Sequence, residues 1–343
     1  MREQAPQKVY RTELTPLSFL ERSAYVYPDK EAVVHGSRRY SYRQFQARVH
    51  RLASGLRRAG LRKHDRVAFL CPNTPAMLEA HYGVPAAGGI LVSINIRLAP
   101  DEIGYILKHS GARFLFVDAE YEGLVKPLDL GTLQVVRVDD TGDRGDPYED
   151  FLATGDPGPV ESWLEDEEET ITINYTSGTT GRPKGVMYTH RGAWINAVGE
   201  VLEAGLTHDS RYLWTLPMFH CNGWCFTWAV TVVGATHLCL RKVDPERIWD
   251  LLDREGVTHY NGAPTVQLAI VNHPRAHRLE RPVTVTVAAA PPSPTLLARL
   301  KELNFRPVHV YGLTETYGPH TVCVWPSRGN NVMKGDRKST RLN

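Results

Sequence analysis

Residues 175–185 read YTSGTTGRPKG. Glycine, serine and threonine fill most of this stretch, which also carries the cations Arg182 and Lys184. Closely spaced backbone N–H groups, hydroxyls and one or two cations are what a loop needs to hold a polyphosphate. Apolar runs at 171–175 and 185–188 predict a strand on either side, with a helix beginning near His190. We therefore predict a phosphate-binding loop that joins two strands.

This loop differs from the Walker loop of P-loop NTPases. In the pattern G-x-x-x-x-G-K-[ST], the second glycine after Gly178 would fall on Pro183. The helix N-terminus that serves a Walker loop is also not adjacent. A kinase or a Walker-type NTPase is therefore disfavoured. An ordinary Gly/Ser/Thr-rich turn is the remaining alternative, and the R-P-K-G that ends the stretch argues against it.

The bulk composition favours a cytoplasmic chain without a nucleic-acid or membrane partner. Its 343 residues suffice for two domains or one large α/β domain. Forty basic and thirty-eight acidic residues give a net charge of +2, which favours neither nucleic acid nor a membrane surface. We find no apolar run long enough to span a bilayer and no signal segment. A homo-oligomer is compatible with this composition.

The cysteines indicate a reducing compartment. There are five of them, an odd number in a chain without an export signal, so we expect free thiols. Cys221 and Cys225 lie four residues apart with His220 beside them. Zinc would need a fourth ligand and usually a closer pair of thiols, so we expect these cysteines to pack in the interior.

Strands and helices alternate along most of the chain. We predict a hairpin at 31–41, followed by a helix with a capping box at Ser41 and Gln44. Further strands are expected at 67–71, 90–94, 114–117, 258–261, 284–289 and 308–311, and helices at 75–87, 100–110, 244–256, 265–271 and from 293. This alternation predicts parallel sheets covered on both faces, in two α/β halves that flank the phosphate loop. Residues 119–160 lose the rhythm and are expected to form surface loop.

Two segments after the loop suit a ligand pocket. Residues 216–224, LPMFHCNGW, crowd aromatic, Met and His side chains beside a glycine, as the wall of an apolar pocket would. Plain core packing is an equal alternative for this segment. Residues 287–294, VAAAPPSP, would let a flat ligand approach the backbone at a strand end, although a tight turn before a helix explains them as well.

The segment HVYGLTETYG at 309–318 combines groups that a nucleotide site needs. Tyr311 can stack on a base, and Gly312 permits close approach. Thr314 can offer its hydroxyl to a phosphate, and Glu315 can ligate Mg²⁺. Because ligands of open parallel sheets collect at the carboxyl ends of the strands, this segment and the phosphate loop should meet.

YTSGTTGRPKG followed by YGLTET resembles the adenylate-forming (AMP-binding) acyl-CoA synthetase family, over residues 15–325. LPMFHCNGWCFTWAV and DREGVTHYNGAPTV look similar to the branch that activates short- and medium-chain, branched or sulfur-bearing acids, which includes the methylmercaptopropionate–CoA ligases. The resemblance implies the large N-terminal domain of that family: two αβα sheet subdomains and a distorted barrel, here incomplete. It also implies a reaction in which ATP and Mg²⁺ activate a carboxylate as acyl-AMP, and coenzyme A then displaces AMP.

The resemblance assigns roles to residues of this sequence. Catalytic roles would fall to Thr314, Glu315, Lys184 and His220. The β- and γ-phosphates would be held by Thr176, Ser177, Gly178, Thr179, Thr180, Gly181 and Lys184. Thr314 would contact the α-phosphate, and Glu315 would hold Mg²⁺.

The same resemblance places adenine and the acyl group. Adenine would lie between Tyr311 and the turn Ala289, Ala290, Pro291. The family usually has Gly-Ala or Gly-Gly before this proline, where the present chain has alanines. His220, Trp224 and Gly312 would border the acyl pocket. The aromatic and thiol side chains at 224, 225 and 228 suggest limited depth, hence short to medium or aryl acids.

The C-terminal residues depart from the family pattern. We find no ribose-binding T-G-D segment, no hinge Arg and no lid domain with its adenylation Lys, so we interpret the chain as C-terminally truncated. Residues 326–335 resemble a displaced family segment. Residues 336–343, DRKSTRLN, are interpreted as a non-native tail, because their codons can spell a sequencing-library adapter. We expect this polypeptide to bind ATP weakly at best and to make little or no acyl-CoA.

Three alternative functions remain open at this stage. The parent protein could load a carrier-protein thiol instead of coenzyme A. If the chain truly ends here, it could be a non-catalytic nucleotide-binding module. A luciferase-like oxygenase on the same scaffold is a third possibility, which nothing in the sequence requires.

Overall fold

The computed structural model describes residues 10–176, 181–323 and 340–342. Its α-helices are α1 Leu17–Val26, α2 Tyr42–Arg58, α3 Pro75–Ala86, α4 Pro100–Ser110, α5 Glu122–Val125, α6 Pro147–Ala153, α7 His190–Ala204, α8 Cys221–Trp224, α9 Phe226–Val232, α10 Pro245–Arg254, α11 Pro264–Val271 and α12 Pro294–Glu302. Short 3₁₀ turns cover Ala119–Tyr121 and Thr314–Thr316.

The strands are β1 Glu31–His35, β2 Arg38–Ser41, β3 Arg66–Leu70, β4 Ile90–Ser93, β5 Ala112–Asp118, β6 Gln134–Val138, β7 Thr170–Thr176, β8 Lys184–Thr189, β9 Arg211–Leu213, β10 Thr236–Leu238, β11 His259–Gly262, β12 Val283–Val287, β13 Phe305–Leu313, β14 Gly318–Cys323 and β15 Thr340–Leu342.

These strands form two mixed sheets. One has the order β6-β5-β3-β4-β7-β8, in which every pairing is parallel except that of β7 with β8. The other has the order β15-β14-β13-β12-β11-β9-β10-β1-β2, parallel in its centre and antiparallel at both ends. The prediction of an α/β fold with two largely parallel halves is confirmed.

Local sequence signals account for many of these elements. The predicted capping box is present, since Ser41 Oγ accepts from the Gln44 amide at 3.3 Å and Gln44 Oε1 accepts from the Ser41 amide at 2.8 Å. Helix α2 then buries Phe45, Val49 and Leu52 on one face. Gly36 turns the hairpin between β1 and β2 with a φ of 60°.

The two halves share one continuous core. Phe69 and Phe116 of the first sheet belong to the same buried cluster as Trp214 and Trp228 of the second half. Asn73, just after β3, joins the halves with its buried side chain, which donates to the carbonyls of Trp214 and Leu216 at 2.8 and 2.9 Å. The position of one sheet is therefore fixed relative to the other by packing and by hydrogen bonds.

The prediction of surface loop over 119–160 was wrong in part. Strand β6 extends the first sheet beside β5, and α6 follows it. Asp146 caps α6, and its carboxylate accepts from the amides of Tyr148 and Thr141 at 3.0 and 2.9 Å. Tyr148 and Leu152, one helical turn apart, are buried. The Gly, Asp and Pro residues that suggested loop are the caps and turns around a short helix.

Candidate active site

A cavity of about 240 Å³ lies where the phosphate-loop strand, the segment after β9 and the hairpin β13–β14 meet. Its lining residues are Thr176, His220, Cys221, Trp224, Ala288, Ala289, Gly312, Leu313, Thr314, Glu315, Gly318 and Pro319. Seven residues predicted for the site are among them: Thr176, His220, Trp224, Ala289, Gly312, Thr314 and Glu315. The structure thus brings together side chains that are widely separated in sequence.

The two ends of the phosphate loop lie side by side. Thr176 at the end of β7 pairs with Lys184 at the start of β8, and the side chain of Lys184 is exposed. Gly181 has a φ of 93°, a conformation that glycine adopts without steric cost. Residues 177–180, which include Ser177, Gly178, Thr179 and Thr180, lie outside the described part of the chain.

Helix α4 flanks both legs of the loop. The Arg182 guanidinium lies over the ring of Tyr105, 5.7 Å from its centroid. The Tyr105 ring in turn stacks on His109 with centroids 5.2 Å apart. On the other leg, Tyr175 Oη lies 2.8 Å from His109 Nδ1, and burial raises the pKa of Tyr175 to about 12. The residues that flank the loop, Tyr175 and Arg182, thus both contact aromatic side chains of α4.

The predicted adenine-binding residues are not all in the cavity. Ala289 lines it with a φ of 73°, which turns the chain after the buried Ala288. Ala290 and Pro291 are exposed and do not line the cavity. Tyr311 is 58% exposed, at the edge of the site beside Gly312.

Thr314 is positioned by side chains from two other elements. Its carbonyl accepts from the Tyr188 hydroxyl at 2.6 Å, and its Oγ1 lies 3.3 Å from the Cys221 thiol that donates to it. Tyr317 stacks on Tyr188 with ring centroids 4.0 Å apart, and its hydroxyl accepts from the Thr189 amide at 3.0 Å. The turn that carries Thr314 and Glu315 is therefore docked onto β8.

The cavity presents neutral groups beside one carboxylate. Burial lowers the pKa of His220, and the charge of Arg97 lowers it further, so the imidazole is neutral at pH 7. Burial raises the pKa of the Cys221 thiol. Glu315 is the carboxylate in the lining. A lining that combines neutral aromatic groups with one carboxylate suits an apolar acid next to a metal-bound phosphate.

A cation site made by the protein alone is not seen. Over residues 10–176, 181–323 and 340–342, no group of three or more His, Cys, Asp or Glu side chains could hold a metal ion. Mg²⁺, however, commonly uses one or two carboxylates and completes its shell with phosphate oxygens and water. The carboxylate of Glu315, open to the cavity, fits that requirement.

Comparison with known proteins identifies the family. Residues 20–340 match the family model described as AMP-binding enzyme. The chain belongs to the AMP-binding enzyme family. Its fold agrees, because the N-terminal domain of FACL13 from Mycobacterium tuberculosis superposes with a TM-score of 0.82 at 26% identity, over 90% of this chain and 78% of that one.

Curated relatives of this AMP-binding chain include acid–CoA ligases. The 4-hydroxybutyrate–CoA ligase 2 of Metallosphaera sedula is 42% identical over 325 residues, 91% of this chain and 59% of that protein. The peroxisomal acetate/butyrate–CoA ligase AAE7 of Arabidopsis thaliana is 42% identical over 340 residues, 92% of this chain and 59% of that protein. The chain thus spans about three-fifths of the length of these relatives.

Sequence reasoning missed several groups that shape this AMP-binding cavity. Cys221 was expected only to pack, yet its thiol reaches Thr314. Gly318 was inside a quoted motif without a role, and a Cβ there would lie 3.0 Å from the Cα of Trp224. Tyr188 carried no signal, because its partner Thr314 lies 126 residues further along the chain.

Proposed function

We propose that this chain carries the adenylation site of an ATP-dependent, AMP-forming acid–CoA ligase. The observation that supports the proposal is the single cavity in which the end of the phosphate loop at Thr176 meets Thr314, Glu315 and the aromatic wall formed by His220 and Trp224. Family membership and the names of the curated relatives point the same way.

The proposed reaction has two steps. A carboxylate oxygen attacks the α-phosphorus of ATP, pyrophosphate leaves, and the acyl group is held as a mixed anhydride with AMP. The thiol sulfur of coenzyme A then forms the thioester, and AMP leaves. The chain's contribution is to bring the reactants together and to stabilise phosphate charge, which are the main sources of catalysis for such transfers.

Four cavity residues and Lys184 have proposed parts in this chemistry. The hydroxyl of Thr314 would bind the α-phosphate, and Lys184 with the phosphate loop would neutralise the β- and γ-phosphates. Glu315 would hold Mg²⁺, which when bound offsets charge on the phosphates. The neutral His220 and Trp224 would exclude water from the acyl group.

The proposed substrates are short- to medium-chain carboxylic acids. Trp224 is only 6% exposed and closes one side of a small cavity that must also admit the α-phosphate. A long acyl chain would need further space beyond this wall. The names of the two curated relatives, which specify acetate, butyrate and 4-hydroxybutyrate, agree with that size.

We also propose the domain limits and the surroundings of the chain. Residues 15–325 would form the adenylation domain, with 326–335 as a displaced segment and 336–343 as a non-native tail. In the described ranges, every helix is too short or too polar to cross a bilayer. A cytoplasmic location and a possible homo-oligomer remain proposals, and the Arabidopsis relative is named as peroxisomal.

Binding of a stable acyl-adenylate mimic tests the proposal directly. Calorimetry would compare 5′-O-sulfamoyladenosine with its N-acetyl, N-butanoyl, N-octanoyl and N-hexadecanoyl derivatives on the 343-residue chain. We expect the butanoyl compound to bind at least about 10-fold tighter than the compound without an acyl group, since one buried CH₂ contributes about 0.8 kcal/mol. The hexadecanoyl compound should bind no tighter than the compound without an acyl group.

The acyl series separates acid activation from the alternative of a non-catalytic nucleotide-binding module. Equal affinity for sulfamoyladenosine with and without an acyl group would contradict acid activation and favour a nucleotide-binding module. Absence of binding by every compound would contradict an adenylation site in this cavity altogether.

A further inference from the structure

The short element α8 and the residue after it, Cys225, form a left-handed turn, because their backbone dihedral angles are not those of a regular α-helix. Residues 221–225 have φ values of 49°, 53°, 60°, 55° and 62°, and four of these five residues are not glycine. A left-handed conformation costs a non-glycine residue about 1–2 kcal/mol. Such a run persists only where the surrounding structure determines it, and it often does so at ligand sites. Two of its residues, Cys221 and Trp224, line the cavity.

The side chain of Asn222 ties this turn to the phosphate-loop strand. Its Oδ1 accepts from Thr172 Oγ1 at 2.8 Å and from Asn174 Nδ2 at 2.7 Å. All three residues are buried, with Asn222 and Thr172 fully inaccessible. Thr172 and Asn174 lie on β7, two to four residues before Thr176, where that strand enters the cavity.

A third element completes the connection. Ser93 at the end of β4 lies within hydrogen-bond distance of two acceptors, Asn174 Oδ1 and the Phe219 carbonyl, both at 3.3 Å. The turn, β7 and β4 are thus joined by one buried polar network. We call Asn222 with Thr172 and Asn174 the asparagine clip.

We propose that Asn222 is a positioning residue, which sets the position of the acyl-binding wall relative to β7, the strand whose end at Thr176 lines the cavity. This inference rests on the proposed function. The acyl-binding wall and β7 are separate elements of the cavity, whereas the carboxylate and the α-phosphate must meet within bonding range. A displacement of about 1 Å between bound reactants can cost about 100-fold in rate. A buried clip between the left-handed turn and β7 prevents such a displacement.

The variant N222G tests the clip without disturbing the turn. Glycine adopts positive φ freely, so the backbone conformation is retained while the side chain and its hydrogen bonds with Thr172 and Asn174 are lost. N-butanoylsulfamoyladenosine would contact the acyl-binding wall as well as the nucleotide subsite and is called the spanning compound, whereas sulfamoyladenosine fills the nucleotide subsite alone. We expect N222G to bind the spanning compound about 10-fold more weakly and the nucleotide compound within about twofold of wild type.

The chain offers a matched control at Asn304. This residue also has a positive φ, 69°, and its Nδ2 donates to the Leu279 carbonyl at 2.9 Å, after α12. N304G therefore loses a side-chain hydrogen bond at a left-handed asparagine outside the cavity, and it should bind both compounds like wild type.

The outcomes distinguish failure of the clip from failure of the proposed function. Unchanged binding of both compounds by N222G, or equal weakening of both, overturns the clip alone. A wild-type chain that gains nothing from the acyl group overturns the proposed function and the clip with it. If N222G does not fold, T172V removes one donor of the clip, and it should weaken only the spanning compound, by about threefold. Equal effects on both compounds would overturn the clip.

Discussion

At the scale of single residues, the position of Thr314 depends on Tyr188. The Tyr188 hydroxyl donates a hydrogen bond to the Thr314 carbonyl, and the Tyr188 ring stacks on the ring of Tyr317. A hydroxyl that is to contact a phosphate must be fixed before the ligand arrives, because ordering it on binding would reduce affinity. Tyr188 supplies that order from a strand that also carries one end of the phosphate loop.

The variant Y188F tests this role. It removes the bond to Thr314 but keeps the stacked ring, so we expect a loss of about 1 kcal/mol in unfolding free energy and a roughly fivefold weaker affinity for butanoylsulfamoyladenosine. Urea unfolding and calorimetry measure the two effects.

A matched control separates stability from binding. Tyr42 is also buried, and its hydroxyl donates to the Ala235 carbonyl outside the cavity. Y42F should lose similar stability yet bind the ligand like wild type. Equal binding by Y188F and wild type would show that Thr314 does not need this support.

Individual residues of the site were predictable only where a local motif carries them. Thr314 and Glu315 stand in a recognisable string, and the structure places both in the cavity. The left-handed conformation of Cys221 and Trp224 had no signal, because neither residue type favours positive φ. Their conformation follows from tertiary contacts such as the asparagine clip, which a single sequence does not reveal.

At the scale of elements, the hairpin β13–β14 depends on close backbone approach at Gly312. A Cβ at this position would lie 1.6 Å from the Gly318 carbonyl oxygen, and backbone cannot move aside as a side-chain tip can. The two strands pair at this point, with Leu313 opposite Gly318. The absence of a side chain therefore brings the turn with Thr314 against the cavity.

The variant G312A should distort this hairpin. Overpacking typically lowers the free energy of unfolding by about 1–3 kcal/mol, and we expect the upper end of that range together with loss of ligand binding.

In the interior of α7, by contrast, a Cβ at Gly199 meets nothing within 4 Å. G199A should raise the unfolding free energy by up to about 1 kcal/mol through helix propensity. Urea unfolding measures the free energy of unfolding of both variants. A G312A variant as stable as wild type would contradict the close backbone approach between Gly312 and Gly318.

Elements with strong terminal signals were predicted well, and short ones were not. Helices that begin with proline after a cap, such as α10 and α12, start where the sequence indicates. Helix α6 has only seven residues and lies among turn-forming residues, so its two buried side chains gave too little periodicity. Strands β9 and β10 have three residues each, too few for a pattern.

At the scale of the whole molecule, the shared core buries histidines as neutral groups. Burial lowers the pKa of His81 to about 4 and that of His190 to about 4. Burial, with a smaller effect of His81, lowers the pKa of His237 to about 3. Neutral His237 bridges Trp214 Nε1 at 3.1 Å and Thr231 Oγ1 at 2.9 Å. The interior of the protein thus contains imidazoles that must stay unprotonated for the fold to be stable.

The neutral histidines predict that the protein loses stability in a pH range above that in which carboxylates protonate. In the unfolded chain each histidine takes up its proton near pH 6.5, whereas the folded chain resists until about pH 4 or below. The contribution of these neutral histidines to the free energy of unfolding is therefore complete above pH 6.5 and is lost as the pH falls towards 4. Each group should contribute a slope of about 1.4 kcal/mol per pH unit in that window.

Urea unfolding between pH 4.5 and 7 measures this slope. The variant H237Q removes one titrating group, so its unfolding free energy should depend less steeply on pH, by about 1.4 kcal/mol per unit, whatever its stability at pH 7. An identical slope in H237Q and wild type would contradict a neutral His237 in the folded core.

The most direct test of the central claim is a crystal structure of the chain with butanoylsulfamoyladenosine. We predict that the sulfamoyl group lies within hydrogen-bond distance of the Thr314 hydroxyl, that the butanoyl chain contacts His220 and Trp224, and that the adenosine lies beside Ala289. Ligand bound elsewhere, for example in the groove between the N-terminal segment and Trp194, would contradict the assignment of this cavity as the adenylation site.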